Sequence, residues 1–441
     1  MATRKSFYLG PGLVLVLALL GSYLYGPSVR RAGLVLGVFR SANQSSHAPE
    51  DLQTIPLTAH CEDIHYHKSS NLLFTACEDD PATRHAWFPP LAIFDHPEVG
   101  FQARGSLKTI DPKTLKVTTL RFDNFEKPFI THGIDVIDDP DKEGIAVYIF
   151  AVNHRPNPDH FGNAKTAAPK SHSVVEVFHH VIGTDAVRHL RTVWHPLITT
   201  PNDILALSPI SFFVTNDHFY REGTPRAIED VYYGAKWSDT VYVEFKPDDN
   251  SATDDSAGVQ ASVALSGLHN NNGLGHGKSS QDVLIGSAGS GELHLGTRDK
   301  QPTNGSHRIS VVESVELDSA VDNPSYFADP FANDTYDGSG FILGGLSRGI
   351  ELMRNVGNPD AKDSVMVWMV TPLRQDGQAG GGSRGWRKRL IFEDDGSRIR
   401  TCSAAVLVAM DPRSQGGQRR ARLFVTGFLS KNILAVDIDM D

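Results

Sequence analysis

The chain is poor in cysteine, with three in 441 residues. So few cannot staple a disulfide-dense scaffold, so the fold must rest on a buried core. It also lacks an excess of positive charge. Lysine and arginine total 42 against 52 acidic residues, a formal charge of −10. That balance argues against a nucleic-acid partner and suits a domain that binds cations. No self-similar period of about 20–50 residues is readable, so any repeat architecture here has diverged. The Gly-Ser stretch at 286–291 holds no intact G-x-S-x-G, and Gly338–Phe341 does not sit at a strand-to-helix elbow. Both observations argue against a Ser-His-Asp hydrolase. Convincing amphipathic helices are scarce, AIEDVYYGAKW (227–237) being the one candidate.

What the chain does have is short strand-like runs separated by Gly, Pro, Asp or Asn. NLLFTA, GIAVYIFAV, SVVEVFHHV, SFFVTND, DTVYVEF, DVLIGSA, ELHLGT, FILGGL, SVMVWMV, RLFVTGF and NILAVDI follow one another from residue 71 to 438. This pattern predicts an all-β fold. Long loops interrupt it at Arg155–His172, Thr297–His307, Gln375–Gly385 and Asp411–Arg420, and the first, following His154 directly, is the best lid candidate. Cys61 and Cys77 lie eight residues either side of Ser69, across the turn KSSN. That symmetry places them opposite each other on a hairpin and predicts a disulfide, with Cys402 free.

The amino terminus reads differently. Arg4 and Lys5 precede an almost wholly apolar run from Phe7 to Tyr25, followed by Pro27 and Arg30–Arg31. Residues 1–40 are therefore expected to hold an uncleaved signal-anchor helix, 41–60 a polar linker and 61–441 the folded domain. Sequons at Asn43, Asn304 and Asn333, with the expected disulfide, predict a luminal or extracellular domain tethered to a membrane, secreted if the anchor is cleaved.

Polar residues cluster at the ends of several strand-like runs: THGID (131–135), AVNH (151–154), TPNDI (200–204) and TNDHF (215–219). Carboxylates and amide oxygens suit a hard cation, and calcium accepts about six to eight of them. Imidazole moves protons near neutral pH. Asn202–Asp203 and Glu62–Asp63 are adjacent pairs, and on plain extended backbone their side chains would point to opposite faces, serving two ions stacked along an axis. Candidate ligands at 62–63, 134, 202–203, 272 and 322–323 are too scattered for a local calcium loop. They need a fold whose distant segments converge, and a β-propeller does this.

With these residues assembled, the chain resembles the serum paraoxonase/arylesterase family of calcium-dependent lactonases and esterases. The likeness is best over Thr131–Phe245, through HGI, VYIFAVNH, VEVF, HPL–PNDI, TNDHF and YYGAKWSDTVYV. It extends more weakly to CEDIHYHKSSNLLF (61–74), NNNGL (270–274), VDNPS (321–325) and LFVTGFLSKNILAVDI (423–438). The resemblance implies a six-bladed β-propeller with two calcium ions on its axis. One ion would take Glu62, Asn202, Asn272, Asp322 and Asn323, with Asn271 a substitute for Asn272. The other would take Asp63, Asp203 and the carbonyl of Ile134, with Gly133 allowing close approach. His132 would abstract a proton from water and His154 would orient it, with His218, His195 and Asp217 in support. The substrate would be a small lactone or ester.

Two departures stand out. The family's disulfide joins the start of the fold to its last strand, but ILAVDI holds no cysteine, so closure is expected from strand pairing alone. Where the family has a Cys-His pair lining its pocket, Gly345 and Leu346 stand, so the substrate wall differs. Two other readings remain open. A gluconolactonase-like hydrolase would need one metal, held by Glu62, Asn202 and Asp322. A tethered propeller that binds a partner without catalysis would not need the calcium-site carboxylates, all of which are present.

Overall fold

The computed structural model describes residues 11–162, 167–246, 254–301, 306–373 and 385–440. Sequon Asn304 and parts of the loops 155–172, 297–307 and 375–385 lie outside these.

The domain is all-β. Among the described residues, four separate sheets have four strands each, and a fifth has eight. Within the eight-stranded sheet, two antiparallel four-stranded runs, Cys61–Asp123 and Thr131–Val193, meet only through a short parallel pairing of Arg121–Asp123 with Ala186–Arg188. Six four-stranded units result. Their first strands are Cys61–His67, Thr131–Asp138, Pro201–Ser208, Asn271–His276, Pro324–Phe327 and Cys402–Ala409. Each touches the first strand of the next unit, and the sixth touches the first, so the six form a closed ring.

The ring is closed by the chain ends. Leu52–Ile55 adds as an antiparallel strand to Ile433–Asp439, with Leu52 opposite Val436. Closure is thus by backbone pairing, as expected from the missing cysteine, and the first strand falls in the segment read as linker. Cys61 and Cys77 are opposite each other on the first hairpin and are bonded, while Cys402 is a buried free thiol. The core lies between units, where buried faces of neighbouring sheets meet: Phe150, Val175 and Phe212 between the second and third, Phe392, Leu423 and Val436 between the fifth and sixth.

The expected membrane-spanning helix is not confirmed. A helix does run from Pro11 to Val35, with Pro27 inside it. Among the described residues, however, no helix is long and apolar enough to cross a membrane. The second half of Pro11–Val35 contacts the β domain. Arg31 donates to the carbonyls of Ser290 (2.9 Å) and Gly291 (2.8 Å), and Val35, fully buried, accepts from Ala320 N (3.1 Å). That half is an arm pinned to the β domain. The start of the apolar run lies outside the described residues. The expected helix at 227–237 is present as Gly223–Val231, shifted toward the amino terminus.

Candidate metal centre and imidazole pair

Most of the candidate ligands sit on the ring of first strands, at or beside breaks in its pairing, while Asp322 and Asn323 lie just ahead of the strand Pro324–Phe327. Register shifts fall between Cys61 and Ile64, Thr131 and Ile134, Pro201 and Ile204, and Asn271 and Leu274. Glu62–Asp63, His132–Gly133, Asn202–Asp203 and Asn272–Gly273 are therefore bulge residues. A bulge inserts an unpaired residue and re-aims its side chain. The adjacent pairs diverge for this reason, and not by the plain alternation expected of an extended strand. Glycine makes the approach possible: a Cβ on Gly133 would lie 2.5 Å from Asp203 Oδ1, and one on Gly273 2.4 Å from Asn323 Cα.

Five oxygens from these segments are buried and accept nothing. They are Glu62 Oε2, Asn202 Oδ1, Asn272 Oδ1, Asp322 Oδ1 and Asn323 Oδ1. A buried polar atom without a partner costs about 1–3 kcal/mol, so five together need an account. The side chains are held from behind. Asn323 Nδ2 donates to Glu62 Oε1 (2.9 Å) and Asn202 Nδ2 donates to Asp217 Oδ2 (3.3 Å), which turns each amide oxygen the other way. Thr426 Oγ1 donates to the Glu62 carbonyl (2.8 Å), as does Ser403 Oγ. Asn271, the alternative to Asn272, donates from Nδ2 to Thr240 Oγ1 and has an unpartnered Oδ1 of its own, but Asn272 and not Asn271 lines the cavity.

The electrostatics are unfinished without a cation. Burial, then the charges of Asp322 and Asp63, push the Glu62 carboxyl well above its usual range. Burial and Asp63 do the same to Asp322. Among the described residues no three His, Cys, Asp or Glu side chains alone could hold a metal. The donor set is completed by amide oxygens, which is the chemistry of a hard cation such as calcium.

The lower set is different. Asp63 accepts from Ile64 N (2.8 Å), Ile134 N (3.1 Å) and lies 2.9 Å from His65 Nε2. Asp203 accepts from Ile204 N (2.7 Å) and Leu274 N (2.6 Å). Burial, Asp63 and Glu62 still push the Asp203 carboxyl well up. These carboxylates are charged neighbours, but none of their oxygens is without a partner.

The two expected imidazoles meet. His132 Nδ1 is 3.3 Å from His154 Nε2, and His154 Nδ1 is 2.9 Å from Ser173 Oγ. Burial, with the Arg84 guanidinium, lowers His132 to about 3, and burial and His132 push His154 down too. His132 lines a cavity of about 170 Å3 with Asn202, Asn272 and Asp322, so the imidazole and the bare oxygens share one space. His218 lines it as well. Its Nδ1 is 3.0 Å from Asp217 and its Nε2 2.7 Å from Asp230. Burial opposes ionisation of Asp217, but His218 outweighs it and holds the carboxyl low. Asp217 thus orients Asn202 and pairs with His218, not with the His132–His154 pair. His195 is not on the cavity wall; its Nδ1 accepts from Leu197 N (3.2 Å).

Sequence reasoning missed the walls. Phe88, Leu91, Leu346, Leu352 and Phe428 form an apolar rim. Phe88 and Leu91 come from a WFPPL segment that carries no periodic signal. A Cβ on Gly345 would lie 1.9 Å from Ala320 O, so that position has no room for a side chain. The free thiol of Cys402 lines the cavity from the sixth unit.

Comparison with known proteins gives a consistent picture. The Arylesterase family model matches residues 106–330. Serum paraoxonase/arylesterase 1 of Mus musculus is 30% identical over 210 residues, covering 48% of this chain and 48% of its own. Serum paraoxonase/arylesterase 2 of Canis lupus familiaris is 27% identical over 246 residues, 56% of this chain and 58% of its own. The chain thus spans about half the length of the curated relatives it matches. A crystal structure of glucose dehydrogenase aligns with a TM-score of 0.44 at 11% identity, over 87% of this chain and 99% of that one.

Proposed function

The chain belongs to the arylesterase family, and we propose that it is a calcium-dependent hydrolase of lactones and aryl esters built on a six-bladed β-propeller. The observation that carries this reading is a set of five buried, unpartnered oxygens, of whose residues Asn202, Asn272 and Asp322 line the same cavity as His132. Glu62, Asn202, Asn272, Asp322 and Asn323 would hold one calcium ion. Asp63, Asp203 and the Ile134 carbonyl would hold a second, sharing oxygens already bonded to backbone N–H groups. When bound, the upper ion supplies positive charge for the substrate carbonyl oxygen.

The chain's own residues do the rest. His132 is neutral at working pH, so its ring can accept a proton from water. Burial and the Arg84 guanidinium disfavour the imidazolium there. His154 orients His132 from 3.3 Å, and Ser173 orients His154. The apolar rim excludes water and selects a small, mostly aliphatic body around the carbonyl. The Cys61–Cys77 bridge suits an oxidising compartment, so we place the domain in the secretory pathway, where the exposed sequons Asn43 and Asn333 would be glycosylated.

The test is hydrolysis of aliphatic lactones and phenyl acetate by purified protein, with and without calcium. Loss of turnover in chelator, restored by calcium, supports the reading. Full activity in excess chelator overturns it. His132→Gln is expected to cut turnover and leave calcium content unchanged; loss of metal in that variant would make the ring structural.

A further inference from the structure

Between Cys77 and Ser106 the chain leaves the first unit and runs across the mouth of the cavity, through the helix Pro81–Ala86 and the turn Pro89–Leu91. Three of its side chains converge on the imidazole pair. Trp87, fully buried, donates from Nε1 to the His154 carbonyl at 2.8 Å. The Phe88 ring meets His132 edge-on at 5.2 Å and His154 at 6.2 Å. Arg84 lies with its guanidinium carbon 4.0 Å over the Phe88 ring and is itself fully buried. Its Nη2 donates to the His60 carbonyl (3.1 Å) and, at 3.4 Å, reaches Thr131 Oγ1. His60 stands just ahead of Glu62, and Thr131 just ahead of His132.

We propose that Arg84, Trp87 and Phe88 are positioning residues: this excursion is a clamp that sets the imidazole pair against the oxygen cluster. Arg84 ties the segment carrying Glu62 to the segment carrying His132. Phe88 spans both rings and shields them from solvent. Trp87 fixes the backbone from which His154 projects. Burying a guanidinium and an indole N–H is costly unless they are well used, and here each bonds to backbone beside a candidate functional residue. Arg84 Nε and Nη1 and both carboxylate oxygens of buried Glu78 have no partner in the structure. A water bridging Glu78 to Arg84 would satisfy them and root the clamp.

The inference rests on the hydrolase reading for its kinetic arm only. Imidazole 15N spectra of His132 and His154, assigned through His132→Gln and His154→Gln, provide a readout that needs no turnover. Phe88→Leu and Trp87→Phe are expected to move both rings' signals. They are also expected to lower kcat roughly ten- to hundredfold with KM within about twofold, since small misplacement of a reacting group is that costly. Arg84→Lys is expected to move the same signals and weaken calcium binding. Phe392→Leu, a core change in a distant cluster, controls for stability. The clamp is overturned if Phe88→Leu and Trp87→Phe leave the imidazole signals in place, or lose no more kcat than Phe392→Leu at matched loss of Tm. If the wild type shows no calcium-dependent hydrolysis, the function reading fails, and the imidazole spectra still decide the clamp.

Discussion

The upper and lower halves of the central site are built from the same bulges yet finished differently. At each adjacent pair one residue looks up and the other down. Glu62 and Asn202 end in oxygens with no partner. Asp63 and Asp203 end in oxygens held by backbone N–H groups of Ile64, Ile134, Ile204 and Leu274. The upper half presents oxygens that no protein donor reaches. The lower half is a strut that joins the first unit to the second and the third unit to the fourth. One half is arranged for binding, the other for holding the ring together.

The comparison breaks most readily at Glu62. Glu62→Gln is expected to weaken calcium binding by about a hundredfold or more, since it removes one partner of a buried charge interaction. In chelator the sign reverses: the variant should melt higher than wild type, because it relieves the repulsion among Glu62, Asp322 and Asp63. Calorimetric titration and melting curves with and without calcium check both. Asp203→Asn should behave oppositely. It is expected to lose one of the two bonds to Ile204 and Leu274, a cost of about 1–3 kcal/mol offset in part by relief of the repulsion from Asp63 and Glu62, with a smaller change in calcium affinity at the upper site. Equal behaviour of the two variants would dissolve the distinction.

Calcium removal from the wild type is expected to lower Tm by a few degrees, since saturation at about 100 Kd contributes about 2.7 kcal/mol. The acid limb of activity sharpens the point. Glu62 and Asp322 have raised carboxyl pKa values in the cation-free site, so protons compete with calcium as pH falls. The limb should move to lower pH as calcium is increased. His132, lowered to about 3, should contribute no limb near the usual imidazole range. Smallest is the effect at Glu78, raised to about 8 by burial. The folded state holds that proton more tightly than the unfolded chain, so stability falls as pH rises from about 4.5 to about 8. Glu78→Gln should remove that fall, with a gain of about 2 kcal/mol above pH 8 in urea titrations.

Much of this architecture was legible in the sequence. The middle strands of the units, such as SFFVTND and SVMVWMV, are buried on both faces and read as apolar runs. The outer strands were missed. Ile309–Glu316 and Val259–Leu268 are largely exposed, and their mixed polarity shows no clean alternation. The Cys61–Cys77 pairing was readable because a hairpin's symmetry is local. The candidate ligands were readable as residue types in order, but the bulges that aim them were not, because a bulge is a property of two strands and the reading took one at a time. Phe88 and Cys402 reach the cavity through long-range packing that leaves no mark in the sequence around them. In the amino-terminal segment Arg31 was readable as a basic flank, but its bonds to Ser290 and Gly291, which fix the helix to the domain, were not.

The most direct test is calorimetric titration of calcium into chelator-treated protein, followed on the same samples by lactone turnover. The account predicts saturable binding that Asn272→Leu and Asp322→Asn each weaken severely, with turnover rising in step with occupancy of that site. Undetectable binding, or turnover that is unchanged across the titration, would contradict it.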